Sequence, residues 1–227
     1  MAKTASGLVD YARAQLGKPY WYGTFGNTAT QSLLNSKKKQ YPSHYTSQRM
    51  DKYKMQLGAR VHDCVGLIKG YLWSKSPTSS PKYNESQDVS ANGMLKKCKE
   101  KGDISTLPEI PGVLVFMKGH VGVYIGNGKV IEARGFNYGV VETRLEDRKW
   151  TSWGMCPWIQ YPGNEFYEAC NSKETSIVDA LKSKGVDSSK SNRKKIAIAN
   201  GIDNYVGTSK QNVELLNLMK QGKLIKP

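Results

Sequence analysis

Apolar residues recur at helical spacing between residues 6 and 16. Leu8, Val9, Ala12 and Leu16 fall on one side, and Gly17-Lys18-Pro19 ends the run. A second helical period joins Leu67, Ile68, Tyr71 and Leu72, which sets Cys64 at or near a helix start with Asp63 as its N-cap. Farther along the period changes. Val113-Leu114-Val115-Phe116 reads as a buried strand, and His120 to Ile125 alternates with period two. Gly126-Asn127-Gly128 is a hairpin turn, and Lys129 to Ala133 is the return strand. Val140 to Thr143 is a further strand. A helix followed by an antiparallel meander predicts an α+β domain.

Two stretches depart from this pattern. Residues 24–60 are polar and irregular, carry Lys37-Lys38-Lys39, and read as an insertion or long solvated loop. Tyr161-Pro162-Gly163-Asn164 is a turn signal, and a polar stretch follows it. The predicted organisation is a domain over 1–161, a linker over 162–173 and a small helical unit over 174–227. Three short helices are expected in that unit. The first covers Ser176 to Lys184 and stops at Gly185. The second runs from near Ser189 to before Gly201. The third starts at the N-cap Thr208, carries Val213, Leu216 and Met219 on one face, and stops at Gly222. No second copy of this unit occurs in the chain.

Composition narrows the partners. The 227 residues are 38% hydrophobic, with 13 Tyr and 5 Trp, which supports a packed core and argues against disorder. No run of about 18 apolar residues exists, so no membrane span is expected. The start, Met1-Ala2-Lys3-Thr4-Ala5, lacks the apolar stretch of a secretory signal. The expectation is synthesis in a cytoplasm, with release by other means if the protein acts outside. The formal charge of +15 points to an anionic partner: nucleic acid, an acidic membrane face, or an anionic polymer such as teichoic acid. Nucleic acid is disfavoured, because the lysines are scattered and not interleaved with aromatics in a recognised module. Cys64, Cys98, Cys156 and Cys170 form no C-x-x-C pair. Free thiols are expected, with no structural zinc, no other metal and no cofactor.

The chemistry lies in three residues. A thiol attacks a carbonyl as thiolate, and a helix N-terminus and a neighbouring histidine both favour that form. Cys64 has the first advantage, and His120 supplies the second if strand and helix meet. A third polar group must orient the imidazole. Glu132, on the return strand, is the candidate. A two-residue loop at Asn127-Gly128 would pair Glu132 with Val123 and turn it away from His120. A three-residue loop, with Gly128 left-handed, would pair Glu132 with Gly122 and put both side chains on one face. A three-residue turn is therefore expected. His62, two residues before Cys64, is a candidate substrate contact or a local structural residue. His44 is assigned no role.

The segments Asp63-Cys64-Val65-Gly66-Leu67-Ile68, Pro111 to Phe116 and His120 to Ala133 together resemble the NlpC/P60 peptidases, and Leu16 to Gly23 resembles their upstream tyrosine motif. The resemblance spans most of residues 5–160. It implies a papain-like α+β core and cleavage within peptidoglycan stem peptides, often between D-γ-glutamyl and a diamino acid. By motif position Cys64 is the nucleophile, His120 the base and Glu132 the orienting residue. Tyr20 matches the tyrosine of the oxyanion site, and Asp63 a position that contacts the substrate's free amine. Three features depart from the family. Val65 stands where Ser is usual, the stretch between Tyr20 and Cys64 is longer, and Glu132 stands where His is common. A carboxylate there is similar to the CHAP amidase/peptidase group, which leaves N-acetylmuramoyl-L-alanine amidase activity as the alternative. A transglutaminase or acyltransferase built on the same triad is another. The whole chain resembles lytic enzymes of phages that infect Gram-positive bacteria. Residues 174–227, with ten Lys/Arg against five Asp/Glu, are expected to bind the anionic cell wall. Their alternative is a helical cap on the enzyme.

Overall fold

Helix α1 (Ala5–Ala14) starts where the hydroxyl of Thr4 accepts the N–H of Gly7, and it buries Leu8, Val9, Tyr11 and Ala12. Leu16, expected on that face, lies past the last turn and is 40% exposed. These features belong to a computed structural model that describes residues 3–161 and 166–227. Helix α4 (Cys64–Trp73) packs beside α1 and against residues 24–25, and two of its positions fit only glycine. A Cβ on Gly66 would come within 1.8 Å of the Thr24 carbonyl oxygen, and one on Gly70 within 2.3 Å of the Tyr11 hydroxyl.

Both helices cover one face of a six-stranded antiparallel sheet ordered β3-β8-β4-β5-β6-β7. Its members are β3 (Lys101–Asp103), β4 (Leu114–Met117), β5 (His120–Gly126), β6 (Lys129–Ala133), β7 (Val140–Arg144) and β8 (Ser152–Gly154). The period-two reading holds through β5 and β6. Val121, Val123, Ile131 and Ala133 pack towards α1 and α4, whereas Tyr124 and Val130 pack with Trp150 on the opposite face. Strands β3 and β8 and helix α5 (Ala91–Lys97) were not expected, because three-residue strands carry too few positions for a period to register.

The stretch 24–60 is not a loop. It holds β1 (Phe25–Thr28), α2 (Gln31–Gln40) and α3 (Met50–Met55), and β1 pairs with β2 (Arg60–His62). Thr30 caps α2, and Trp21, Leu34, Tyr45, Tyr53 and Val61 form a separate apolar cluster beneath it. Those rings are too unevenly spaced to produce a periodic signal, yet their burial organises the segment.

The C-terminal unit comprises α6 (Ile177–Ser183), α7 (Lys190–Ala199) and α8 (Ser209–Lys220); Thr208 caps α8 as expected, and Ser176 and Ser189 cap the other two. Leu215, Leu216 and Met219 make the buried face of α8, and Val213, expected among them, is exposed. Most of the expected turn at residues 161–164 lies outside the described residues. The expected linker does not run free to residue 173. Phe166 pairs with Ile225, the Tyr167 N–H donates to the Leu224 carbonyl at 2.8 Å, and Cys170 enters the unit's core. The unit rests against the sheet domain. Ile225 packs with Ile110, Val113 and Met155, and Arg13 pairs with Asp203. Among the described residues no helix is long and apolar enough to cross a membrane.

Candidate active site

Asp63 fixes the start of α4. One carboxylate oxygen accepts the Gly66 N–H at 2.6 Å, and the other accepts the Gly23 N–H at 2.8 Å. The expected N-cap is therefore present, with a second anchor to the chain that carries Tyr20. Cys64 follows in the first turn, and its sulfur lies 4.0 Å from the Gly119 carbonyl oxygen. The backbone N–H groups of Val121, Val65 and Cys64 itself lie near enough to the sulfur to favour its thiolate. Burial pushes the Cys64 thiol up to about 12 and the Asp63 charge adds to that rise, while the three N–H groups oppose both. The resting side chain is accordingly a neutral thiol.

The residues around that sulfur, Gly119 and Val121, flank His120 at the start of β5. His120 Nε2 lies 2.6 Å from Glu132 Oε2. The Trp150 ring stacks on the imidazole at 5.7 Å between centroids and 15° between planes. Glu132 is fully buried yet well partnered. Arg148 Nε donates to Oε1 at 2.9 Å, Arg148 Nη2 to Oε2 at 3.0 Å, and the Thr143 hydroxyl to Oε1 at 2.9 Å. Burial pushes its pKa up, but the hydrogen bonds from His120, Arg148 and Thr143 and the charge of His120 outweigh it and hold the carboxyl below its ordinary value.

The turn that brings His120 and Glu132 together differs from the expected one. Gly126 pairs with Lys129, so the loop is Asn127-Gly128, with φ of 53° and 68°. This is the two-residue turn that would have carried Glu132 away from His120. A bulge at Ile125 corrects it. The register shifts by one between Tyr124 and Gly126, and Tyr124 then pairs with Val130 and Val123 with Ile131. Continuing that register sets Glu132 against Gly122, on the His120 face.

Tyr20 bridges to His62 in a short parallel contact beside α4. Burial raises its phenol first, and the nearby Cys64 and Asp63 raise it further, so it remains a protonated hydrogen-bond donor close to the thiol. His62 does not face a cleft. It is fully buried, its Nε2 meets the Tyr11 hydroxyl at 3.0 Å, and burial, with the charges of Arg60 and Lys18, pulls its pKa down to about 3. The substrate-contact reading of His62 is replaced by a neutral core histidine. Sequence reasoning missed Arg148 and Trp150. The available signal was Glu132 itself, since a buried carboxylate demands a cation.

Residues 17–158 match the model of the NlpC/P60 family. A stretch of 53 residues is 45% identical to the L-alanyl-D-glutamate peptidase of Listeria phage A118, covering 23% of this chain and 19% of that protein. The chain thus spans about a fifth of that relative's length, and the stretch is shorter than the run from Cys64 to Glu132. Similar solved structures include NlpC1 from Trichomonas vaginalis, with a TM-score of 0.42 and 16% identity over 69% of this chain and 45% of the other. They also include the peptidoglycan hydrolase RipB from Mycobacterium tuberculosis, with a TM-score of 0.40 and 15% identity over 69% and 65%. The P60 domain of an M. avium subspecies paratuberculosis antigen gives a TM-score of 0.40 and 17% identity over 69% and 96%. With a family match that spans most of the tyrosine segment, helix α4 and the His120–Glu132 hairpin, the chain belongs to the NlpC/P60 family.

Proposed function

We propose that this protein is a cysteine endopeptidase that cuts peptidoglycan stem peptides, with Cys64 as nucleophile, His120 as base and Glu132 as the orienting residue. The observation that carries the reading is the 2.6 Å contact of Glu132 with His120 Nε2, next to a sulfur held among the backbone groups of residues 119–121. That contact leaves His120 Nδ1 for the thiol. As the sulfur attacks the scissile carbonyl carbon, Nδ1 takes its proton. The Cys64 N–H and the Tyr20 hydroxyl donate to the oxyanion. The tetrahedral intermediate collapses, His120 returns the proton to the leaving amine, and a thioester on Cys64 remains. Water, deprotonated by His120, then attacks the thioester, and the thiol leaves with that proton. Glu132, clamped by Arg148, holds the ring through both steps. Asp63, whose oxygens anchor α4 and Gly23, receives the substrate's free amine.

The scissile bond in this reading joins D-γ-glutamyl to a diamino acid. The carboxylate at Glu132 favours a second reading, the muramoyl–L-alanine amidase. The name of the phage relative does not decide between them, because its matching stretch is too short to hold the whole triad. The C-terminal unit, net +5 from residue 174 on, binds the anionic wall and raises the enzyme's local concentration there. Clearing of purified cell walls tests the reading. Wild type lowers turbidity, and Cys64→Ala, folded to the same circular dichroism spectrum, does not; full clearing by Cys64→Ala rules the reading out.

A further inference from the structure

The segment between Tyr20 and Cys64 does more than enclose its own core. With the turn between β6 and β7 it walls a cleft of about 290 Å³. His44 and Arg49 enter from one side, and Arg134 and Phe136 from the other. Tyr20 also lines the cleft, and its phenol lies within electrostatic reach of Cys64. Arg134 directly follows β6, two residues beyond Glu132. The cleft therefore adjoins the reacting atoms.

Its lining contains no Asp or Glu. Arg49 donates to the His44 carbonyl at 3.2 Å and lies 4.9 Å from the Phe136 ring centroid. Arg134 lies 4.3 Å from the Tyr138 ring centroid. Among the described residues neither guanidinium forms an ion pair with a carboxylate. Each is half-buried and laid on an aromatic face, so its planar fork of donors is partly preorganised. His44 stacks on Tyr22 at 3.7 Å between centroids. Burial, then the charge of Arg49, lowers its pKa, so it adds a neutral polar edge and no third cation. Two unpaired guanidiniums in a pocket without acids match a carboxylate.

We propose that this cleft is a substrate subsite in which Arg49 and Arg134 hold a free carboxylate of the stem peptide while Cys64 acts on a neighbouring amide. This rests on the hydrolase reading above. Two substrate groups have this chemistry: the α-carboxylate of the glutamyl residue and a carboxylate of the diamino acid. Three synthetic muropeptides separate them: one with both acids free, one amidated at the glutamyl carboxylate and one amidated at the diamino acid. Wild type should cleave the free acid about tenfold better than one of the amides, mainly through KM, the size expected of one charge-assisted contact. Arg49→Gln/Arg134→Gln should bring that acid-to-amide ratio near one, and the position that responds names the carboxylate. A purely structural role would slow all three substrates alike and keep the ratio. A preserved ratio in the double variant, or no preference at either position in wild type, overturns the proposal. Failure of wild type to cleave any of the three overturns the hydrolase reading, and the subsite with it.

Discussion

Glu132 Oε2 stands 2.6 Å from His120 Nε2 across two neighbouring strands, because a bulge at Ile125 offsets a two-residue turn. An orienting group contributes less than the base it orients. Glu132→Gln should lower kcat/KM by roughly ten- to a hundredfold and His120→Ala by roughly a thousandfold or more, measured on soluble muropeptides. Equal losses would assign Glu132 a part in proton transfer itself.

Arg148 neutralises the fully buried Glu132 through two N–H donors. Arg148→Met leaves that charge without its cation and should cost about 3 kcal/mol of stability at pH 7. The sign with pH follows from the lowered Glu132 pKa. A depressed folded-state value adds stability above the ordinary carboxylate range, and that stability is lost as pH falls through the folded value. Urea midpoints of wild type and Arg148→Met should therefore differ most near neutrality and converge below about pH 4. A constant gap would assign the loss to packing alone.

The Cys64 thiol, pushed up to about 12 chiefly by burial, should be alkylated by iodoacetamide at a rate that climbs with pH across 6 to 9 without levelling off. A plateau below pH 7 would indicate a standing thiolate–imidazolium pair instead.

Gly66 is fixed by contact and not by φ. A Cβ there would meet the backbone oxygen of Thr24 at 1.8 Å, and no rotamer relieves a clash between main chains. Gly66→Ala should lower Tm by roughly 10 °C, corresponding to about 3 kcal/mol. An unchanged Tm would show that the backbone at Thr24 yields freely.

Removal of residues 166–227 should abolish pelleting with cell walls while cleavage of soluble muropeptides persists. Tm should fall as well, because Ile225 leaves its contacts with Ile110, Val113 and Met155. Undiminished pelleting would make the helical unit a cap.

Much of this site was legible in the sequence because local rules govern it. Asp63 is a capping residue before an apolar helical run, and His120 and Glu132 sit on strands with a clear period. What was missed is non-local. The bulge at Ile125 adds a residue without altering composition, so turn type read alone gave the wrong loop. Arg148 reaches Glu132 from a polar segment beyond β7. Trp21, Tyr45 and Tyr53 build a core whose rings are brought together only by chain reversals. His62 stands two residues from Cys64 in sequence, yet its ring packs inward against Tyr11.

The most direct test of the central claim is mass spectrometry of purified peptidoglycan digested by wild type and by Cys64→Ala. The cysteine endopeptidase assignment predicts stem peptides cut after the D-γ-glutamyl residue, with a new amino terminus on the diamino acid, in the wild-type digest alone. Intact stem peptides released whole from the glycan, or the same fragments from Cys64→Ala, would contradict it.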